Sequence, residues 1–210
     1  MGLLALPPVL LYFGFPLSDL ADQILRVTVM TAMLWFIARP VIDLKVQHLG
    51  ATLAIGVAVF VVWIAPDVLI KGYRQFWLFD NALMPKAASS LAIGGGLSWP
   101  VLALRMIRAV LIVPIVEELF WRVWLMRWMI DQDFEKVPLG KYTALSFWTV
   151  AVMFASEHGP YWDVGLAAGI IYNWWMVRTR SLGDLILAHA VTNFILGVYV
   201  IAFGKWEYWL

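Results

Sequence analysis

Long apolar blocks separated by short polar interruptions dominate the chain. A membrane-spanning helix needs about 20 mostly apolar residues, and runs of this kind are bounded here by charged residues or by Pro and Gly. The pattern predicts an all-α fold, a polytopic transmembrane helical bundle with about seven spans. The predicted spans are 2–15, 22–38, 49–66, 98–130, 143–158, 163–178 and 182–204.

The fourth predicted span is too long for a single crossing of a bilayer. Its residues, 98–130, would extend for about 50 Å at a rise of about 1.5 Å per residue. Pro114 lies in its middle, and a cluster of charged residues follows. We therefore expect the long fourth helix to be kinked or divided near Pro114.

Composition supports a membrane protein and excludes several other classes. The chain is 63% hydrophobic and 14% charged, whereas soluble domains carry about 25% charged residues. Its net charge of +1 favours no nucleic-acid partner. It has no cysteine, which excludes disulfides, thiolate catalysis and cysteine-ligated metal. No composition change marks a boundary, so we expect a single integral membrane domain over residues 1–210.

The fourth span contains charged residues whose burial is costly. A charge at membrane depth costs from about 2.5 to more than 10 kcal/mol. Glu118 and Arg122 are four residues apart, so on a helix they can neutralise each other. Glu117 is rotated by about 100° from Glu118 and has no basic residue three or four positions away. Glu117 is therefore the first candidate for a general base.

Two later spans contribute further polar groups. His189 and Asn193 are four residues apart in the seventh span, so a helix presents the imidazole and the amide on one face. Both can donate hydrogen bonds to the same point, as an oxyanion hole requires. His158 closes the fifth span, and Phe154, four residues earlier, can fix its rotamer or line a pocket. For either histidine alone, the alternative is a hydrogen-bonded contact between helices.

Glycines in the sixth span have a packing role in this interpretation. Gly165 and Gly169 are four residues apart, and small residues at this spacing let another helix approach closely.

Three motifs together resemble those of a known family. They are Glu117-Glu118-x-x-x-Arg122, Phe154-x-x-x-His158 and His189-x-x-x-Asn193. In this order they are similar to the pattern of the CPBP (ABI-domain) intramembrane proteases, which include the type II CAAX prenyl endopeptidases of the Ras-converting type. The resemblance covers residues 98–204. The surrounding stretches look like the CAAX-protease-related proteins associated with bacterial exosortase systems.

The resemblance implies an intramembrane endopeptidase whose catalytic core is residues 98–204. It implies that Glu117 and His158 activate a water molecule and that His189 and Asn193 hold the oxyanion. The resemblance also implies supporting roles for Glu118, Arg122 and Phe154, and it implies no cofactor.

The same resemblance sets expectations for location and partners. The substrate would be a membrane protein or a lipidated peptide, with membrane lipids and exosortase-type sorting components as further partners. The expected location is the bacterial inner membrane. With seven spans, most loop Lys and Arg residues lie on the side of the N-terminus, which places that terminus in the cytoplasm.

Three alternatives stay open at this stage. Glu117, His158 and His189 are the residue types of a catalytic zinc site. Buried Glu and His residues also serve as proton relays in transporters. A catalytically silent scaffold or immunity protein would carry the same fold without the reaction.

Overall fold

The structure, a computed structural model, describes residues 12–13, 17–81 and 98–209. Helices are its regular structure throughout, and no strand occurs within these ranges. The predicted first span, 2–15, lies outside the described residues except at Tyr12 and Phe13. The six main helices are α1 (Asp19–Val41), α2 (Leu49–Leu69), α3 (Trp99–Trp128), α4 (Ala144–Ser156), α5 (Trp162–Thr179) and α6 (Leu182–Phe203).

Four of these helices, α1, α2, α3 and α6, are long and apolar enough to cross a membrane. The helix α4 is apolar but has only 13 residues, so it extends about 20 Å against a hydrocarbon core of about 30 Å. The prediction of an all-helical membrane protein is confirmed. The count of seven spans stays a prediction.

The long helix α3 is continuous, and its hydrogen-bond register changes near Pro114. A π-helical segment, Arg108–Ile112, precedes the α-helical turn Val113–Glu118. A second π-helical segment, Leu119–Leu125, follows it. The expected disturbance at Pro114 thus takes the form of a wider helical turn, and the chain does not divide into two helices.

Close helix packing depends on glycine at several positions. The helix α2 packs along α6, and α4 packs along α5. A Cβ added at Gly169 would lie 3.2 Å from the carbonyl oxygen of Ala151, and one at Gly165 would lie 3.2 Å from the ring of His158. The predicted close approach of another helix is therefore confirmed at Gly169, whereas the close neighbour of Gly165 is His158, which follows α4.

The start of α6 is fixed to the loop between α1 and α2. Asp184 is completely buried, and its Oδ1 accepts hydrogen bonds from the backbone N–H groups of Gln47 and His48. Its Oδ2 lies 2.8 Å from Nδ1 of His48. Ser181 caps the helix by accepting a hydrogen bond from the N–H of Asp184. These bonds hold the helix that carries His189 and Asn193.

Candidate active site

A cavity of about 290 Å³ lies between the helices that carry the predicted catalytic residues. Four side chains predicted for catalysis line it together, from α3, from the end of α4 and from α6. They are Glu117, His158, His189 and Asn193. The structure thus places residues that are distant in sequence around one space.

Glu117 is less constrained than the neighbouring acidic residue Glu118. Its side chain is 30% exposed, and it makes no hydrogen bond with any residue in the described part of the chain. Its Oε2 lies 4.0 Å from Nε2 of His189. A carboxylate that is open to the cavity and not committed to a structural bond can accept a proton from a water molecule.

Glu118 and Arg122 form the ion pair expected from their spacing, and His189 joins it. Both charged side chains are fully buried, with Arg122 Nη1 3.1 Å from Glu118 Oε2. Glu118 Oε1 lies 2.7 Å from Nδ1 of His189. The ring of His189 also stacks on Tyr172, with centroids 5.0 Å apart. Glu118 therefore both neutralises Arg122 and orients the imidazole.

Asn173 extends this network to a third helix, α5. Its Oδ1 accepts a hydrogen bond of 2.9 Å from Arg122 Nε, and its Nδ2 donates to the carbonyl of Phe147 at 2.8 Å. The guanidinium carbon of Arg122 also lies 4.6 Å from the ring centroid of Phe154. Arg122 is thus held by a carboxylate, an amide and an aromatic face, as a buried charge requires.

His158 is oriented by the backbone of its own segment. Its Nδ1 lies 2.7 Å from the carbonyl oxygen of Phe154. Because a carbonyl only accepts, Nδ1 carries the proton, and Nε2 of the neutral ring is left as an acceptor. The ring centroids of Phe154 and Trp63 lie 4.6 Å and 5.1 Å from that of His158, so two aromatic contacts also restrain the imidazole.

Asn193 compensates for the missing N–H of Pro114. In the π-helical segment, the N–H of Val113 donates to the carbonyl of Arg108. In the same register, each N–H donates to the carbonyl five residues earlier, so the N–H of residue 114 would donate to the carbonyl of Ala109. Residue 114 is a proline, which has no N–H. Asn193 Nδ2 donates to this carbonyl at 2.8 Å. One amide hydrogen of Asn193 is used in this way, and the second makes no hydrogen bond to any residue that the structure describes.

Sequence reasoning overlooked three polar residues of this region. Asn173 lies in the otherwise apolar run of α5 and completes the ion-pair network. Arg105 and Arg108 lie in the apolar first half of α3, and both line the cavity. A search for polar side chains within apolar spans, extended beyond Glu and His, would have selected all three.

Within the described ranges, no group of three His, Cys, Asp or Glu side chains is arranged to hold a metal ion. His158 and His189 each use Nδ1 in a bond to the protein, so Nε2 is the nitrogen that each presents to a substrate or a water molecule. The arrangement has the parts of a hydrolytic site, with a base and two hydrogen-bonding side chains around one space.

Comparison with known proteins found a family model that matches part of the chain. Residues 98–195 match the family model described as Rce1-like, type II CAAX prenyl endopeptidase. The matched region contains all three motifs and every side chain of the ion-pair network. Searches of curated proteins and of solved structures found no match to the chain. Over residues 98–195, this integral membrane protein is thus similar to the Rce1-like family of type II CAAX prenyl endopeptidases, and this similarity implies a protease.

Proposed function

We propose that this chain is an intramembrane endopeptidase in which Glu117 activates water without a metal. The Glu117 carboxylate accepts a proton from the water as its oxygen attacks the scissile carbonyl carbon. The proton then goes to the leaving amine as the carbon–nitrogen bond breaks. The single observation that carries the proposal is that Glu117, His158, His189 and Asn193 line one cavity.

His158 has the role of positioning the water. Its Nδ1 is held by the Phe154 carbonyl, so its Nε2 accepts a hydrogen bond from the same water that Glu117 deprotonates. Two acceptors on one water molecule direct the remaining lone pair of its oxygen at the substrate.

His189 and Asn193 have the role of stabilising the oxyanion. Because Nδ1 of His189 is directed at Glu118, Nε2 is the nitrogen that faces the oxyanion, and it donates a hydrogen bond when it carries a proton. The second N–H of the Asn193 amide provides the other donor. Donors fixed in advance stabilise the developing charge without reorganisation.

The proposal extends to substrate and location. The substrate is a membrane-associated protein or a lipidated peptide, since the cavity lies among helices that are long and apolar enough to cross a membrane. We place the protein in a bacterial inner membrane with a cytoplasmic N-terminus. The resemblance of the sequence to exosortase-associated proteins favours a substrate among exported or envelope proteins.

The test compares membrane proteomes from cells that carry the parent protein or Glu117→Gln. One membrane protein should accumulate in an uncleaved, longer form in the variant, and the purified parent protein should cleave it. The control is Glu135→Gln, an exposed residue away from the cavity, which should behave like the parent. Normal cleavage of that substrate by purified Glu117→Gln would overturn the proposal.

A further inference from the structure

A second cavity, of about 770 Å³, adjoins the catalytic cavity at one end of the helix bundle. It lies where α2 and α6 end and where the turn before α5 begins. We call it the outer cavity, and its charged lining residues are Asp67, Arg74, Lys205 and Glu207. Among the described residues, Tyr161 and Tyr208 alone line both cavities. The two cavities therefore share a wall of two tyrosine side chains.

The charged groups of the outer cavity are paired with one another or with a neighbour. Arg74 Nε donates to Asp67 Oδ1 at 2.9 Å, and the guanidinium also pairs with Asp163. Lys205 Nζ lies 3.8 Å from a carboxylate oxygen of Glu207. Because each of these cations already has a carboxylate partner, the lining does not select a charged ligand.

The same lining is well suited to water. The side chains of Lys205 and Glu207 are 48% and 44% exposed. Nη2 of Arg74 is buried and has no hydrogen-bond partner in the described part of the chain, and water ordinarily satisfies such a donor. Tyrosine and charged side chains are also typical of helix ends at the membrane–water interface. The outer cavity is thus a polar space next to a site built among apolar helices.

Tyr208 is the part of the shared wall that is held most simply. Tyr161 is 2% exposed, and its ring stacks on that of Trp63. Tyr208 belongs to the short segment that follows α6, and its hydroxyl donates a hydrogen bond of 2.8 Å to Asp67 Oδ2. The ring centroids of the two tyrosines lie 5.2 Å apart. A rotation of the Tyr208 side chain that breaks this hydrogen bond would join the two cavities.

We propose that the outer cavity supplies water to Glu117 and that Tyr208 is the gate between the two cavities. This inference rests on the proposed function, because hydrolysis consumes one water molecule for each peptide bond cleaved. The hydroxyl of that water is added to the carbonyl carbon, and its proton goes to the leaving amine. The hydrogen bond to Asp67 holds the gate closed. Asp67 and Tyr208 both lie outside residues 98–195, so the family match does not account for them.

Labelling of a single cysteine by a water-soluble reagent measures this path. The chain has no cysteine, so an introduced thiol is the only target. Ala109→Cys places the thiol in the catalytic cavity, and Gln75→Cys places it in the outer cavity. A small charged methanethiosulfonate is added to the full-length protein in lipid nanodiscs, and mass spectrometry follows the reaction. Because a minor open state is populated at about 10% or less, the thiol at position 109 should react about tenfold or more slowly than the thiol at position 75.

Substitutions of Tyr208 should open the path. Tyr208→Phe removes the bond to Asp67 and keeps the ring, so labelling at position 109 should become about tenfold faster. Tyr208→Ala also removes the ring and should accelerate labelling at least as much. The matched control is Tyr142→Ala, an exposed tyrosine that lines neither cavity, and it should leave the rate unchanged. Thermal unfolding of each variant is measured alongside, and Tyr208→Phe decides the outcome if Tyr208→Ala does not fold.

Several results would overturn the gate. They are equal labelling at positions 109 and 75 in the parent protein, no labelling at position 109 in any variant, and a rate there that Tyr208→Phe leaves unchanged. An equal acceleration by Tyr142→Ala would overturn it as well. Since no cleavage is measured, these outcomes differ from a failure of the proposed function, which shows as normal cleavage by Glu117→Gln.

Discussion

Nδ1 of His189 lies 2.7 Å from Oε1 of Glu118, and this bond joins the ion pair of α3 to the histidine of α6. The adjacent carboxylates of Glu117 and Glu118 therefore have different surroundings. Glu118 is fully buried and bonded to a cation and an imidazole, whereas Glu117 is 30% exposed and borders the cavity. The same substitution at the two positions should therefore have different consequences.

We expect Glu118→Gln to destabilise the protein by about 3 kcal/mol or more, because it leaves Arg122 buried without its counter-charge. Glu117→Gln should change the free energy of unfolding by less than about 0.5 kcal/mol, since the side chain makes no bond that the fold uses. Thermal unfolding in detergent measures both. Equal destabilisation by the two substitutions would contradict the assigned roles.

Asn193 and Pro114 should be coupled. Asn193→Leu removes the donor to the Ala109 carbonyl and should cost about 1–3 kcal/mol. In a Pro114→Ala background, residue 114 has an N–H that can donate a hydrogen bond within α3. Asn193→Leu should therefore lower the free energy of unfolding by less in that background. A double-mutant cycle of unfolding free energies measures this coupling, and strictly additive effects would contradict it.

The same cycle separates the structural role of Asn193 from its catalytic role. If the second amide hydrogen holds the oxyanion, Asn193→Leu should lower kcat by about 10²–10³-fold. Pro114→Ala should restore stability without restoring kcat. A recovery of both would assign Asn193 to the fold alone.

Gly165→Ala should displace the imidazole of His158. The added methyl group would lie 3.2 Å from that ring, and a shift of about 1 Å at a reacting group can lower the rate about 100-fold. Cleavage of the identified substrate provides the measurement. Gly50→Ala is a matched control, because nothing lies within 4 Å of its added Cβ. Equal activity of the two variants would show that the position of His158 is unimportant.

Metal independence is a separate prediction. Cleavage by the purified protein should continue after prolonged treatment with a chelator and should not increase when Zn²⁺ is added. The base and the oxyanion donors in the proposal are all side chains, so no step needs a Lewis acid. Activity that is lost to the chelator and returns only with Zn²⁺ would instead favour a zinc enzyme built on Glu117, His158 and His189.

The sequence contained enough information for the helical fold and for four of the side chains that share the cavity, Glu117, His158, His189 and Asn193. Spacing of four residues predicted the Glu118–Arg122 pair, because that relation depends only on helix geometry. The bond between Glu118 and His189 was not predictable in this way, since these residues are 71 positions apart. Its formation depends on how α3 and α6 pack, which single-helix periodicity does not encode.

The hydrogen bond of Asn193 is a second contact that spacing along the sequence could not predict. Its position on one face with His189 followed from sequence, and so did a disturbance at Pro114. That the two features meet at the Ala109 carbonyl depends on the π-helical register of Arg108–Ile112. A local change of register of this kind has no simple periodic signature, so sequence reasoning found both partners but not their contact.

The two π-helical segments of α3 change the number of residues that the helix holds in each turn. A π-helical turn holds an extra residue relative to an α-helical one, whereas each residue of an α-helical turn corresponds to a rotation of about 100° around the axis. Arg105 lies before the first such segment, Glu117 lies between the two, and Arg122 lies within the second. A π-helical turn with one extra residue rotates the chain by about the same angle as an α-helical turn, so deleting a single residue from Arg108–Ile112 would leave Arg105 and Glu117 on nearly the same faces. Deleting a residue between Val113 and Val116, in the α-helical turn, would instead rotate Arg105 by about 100° relative to Glu117. The residue count of this helix, as much as the identity of its side chains, therefore determines which groups face the same substrate.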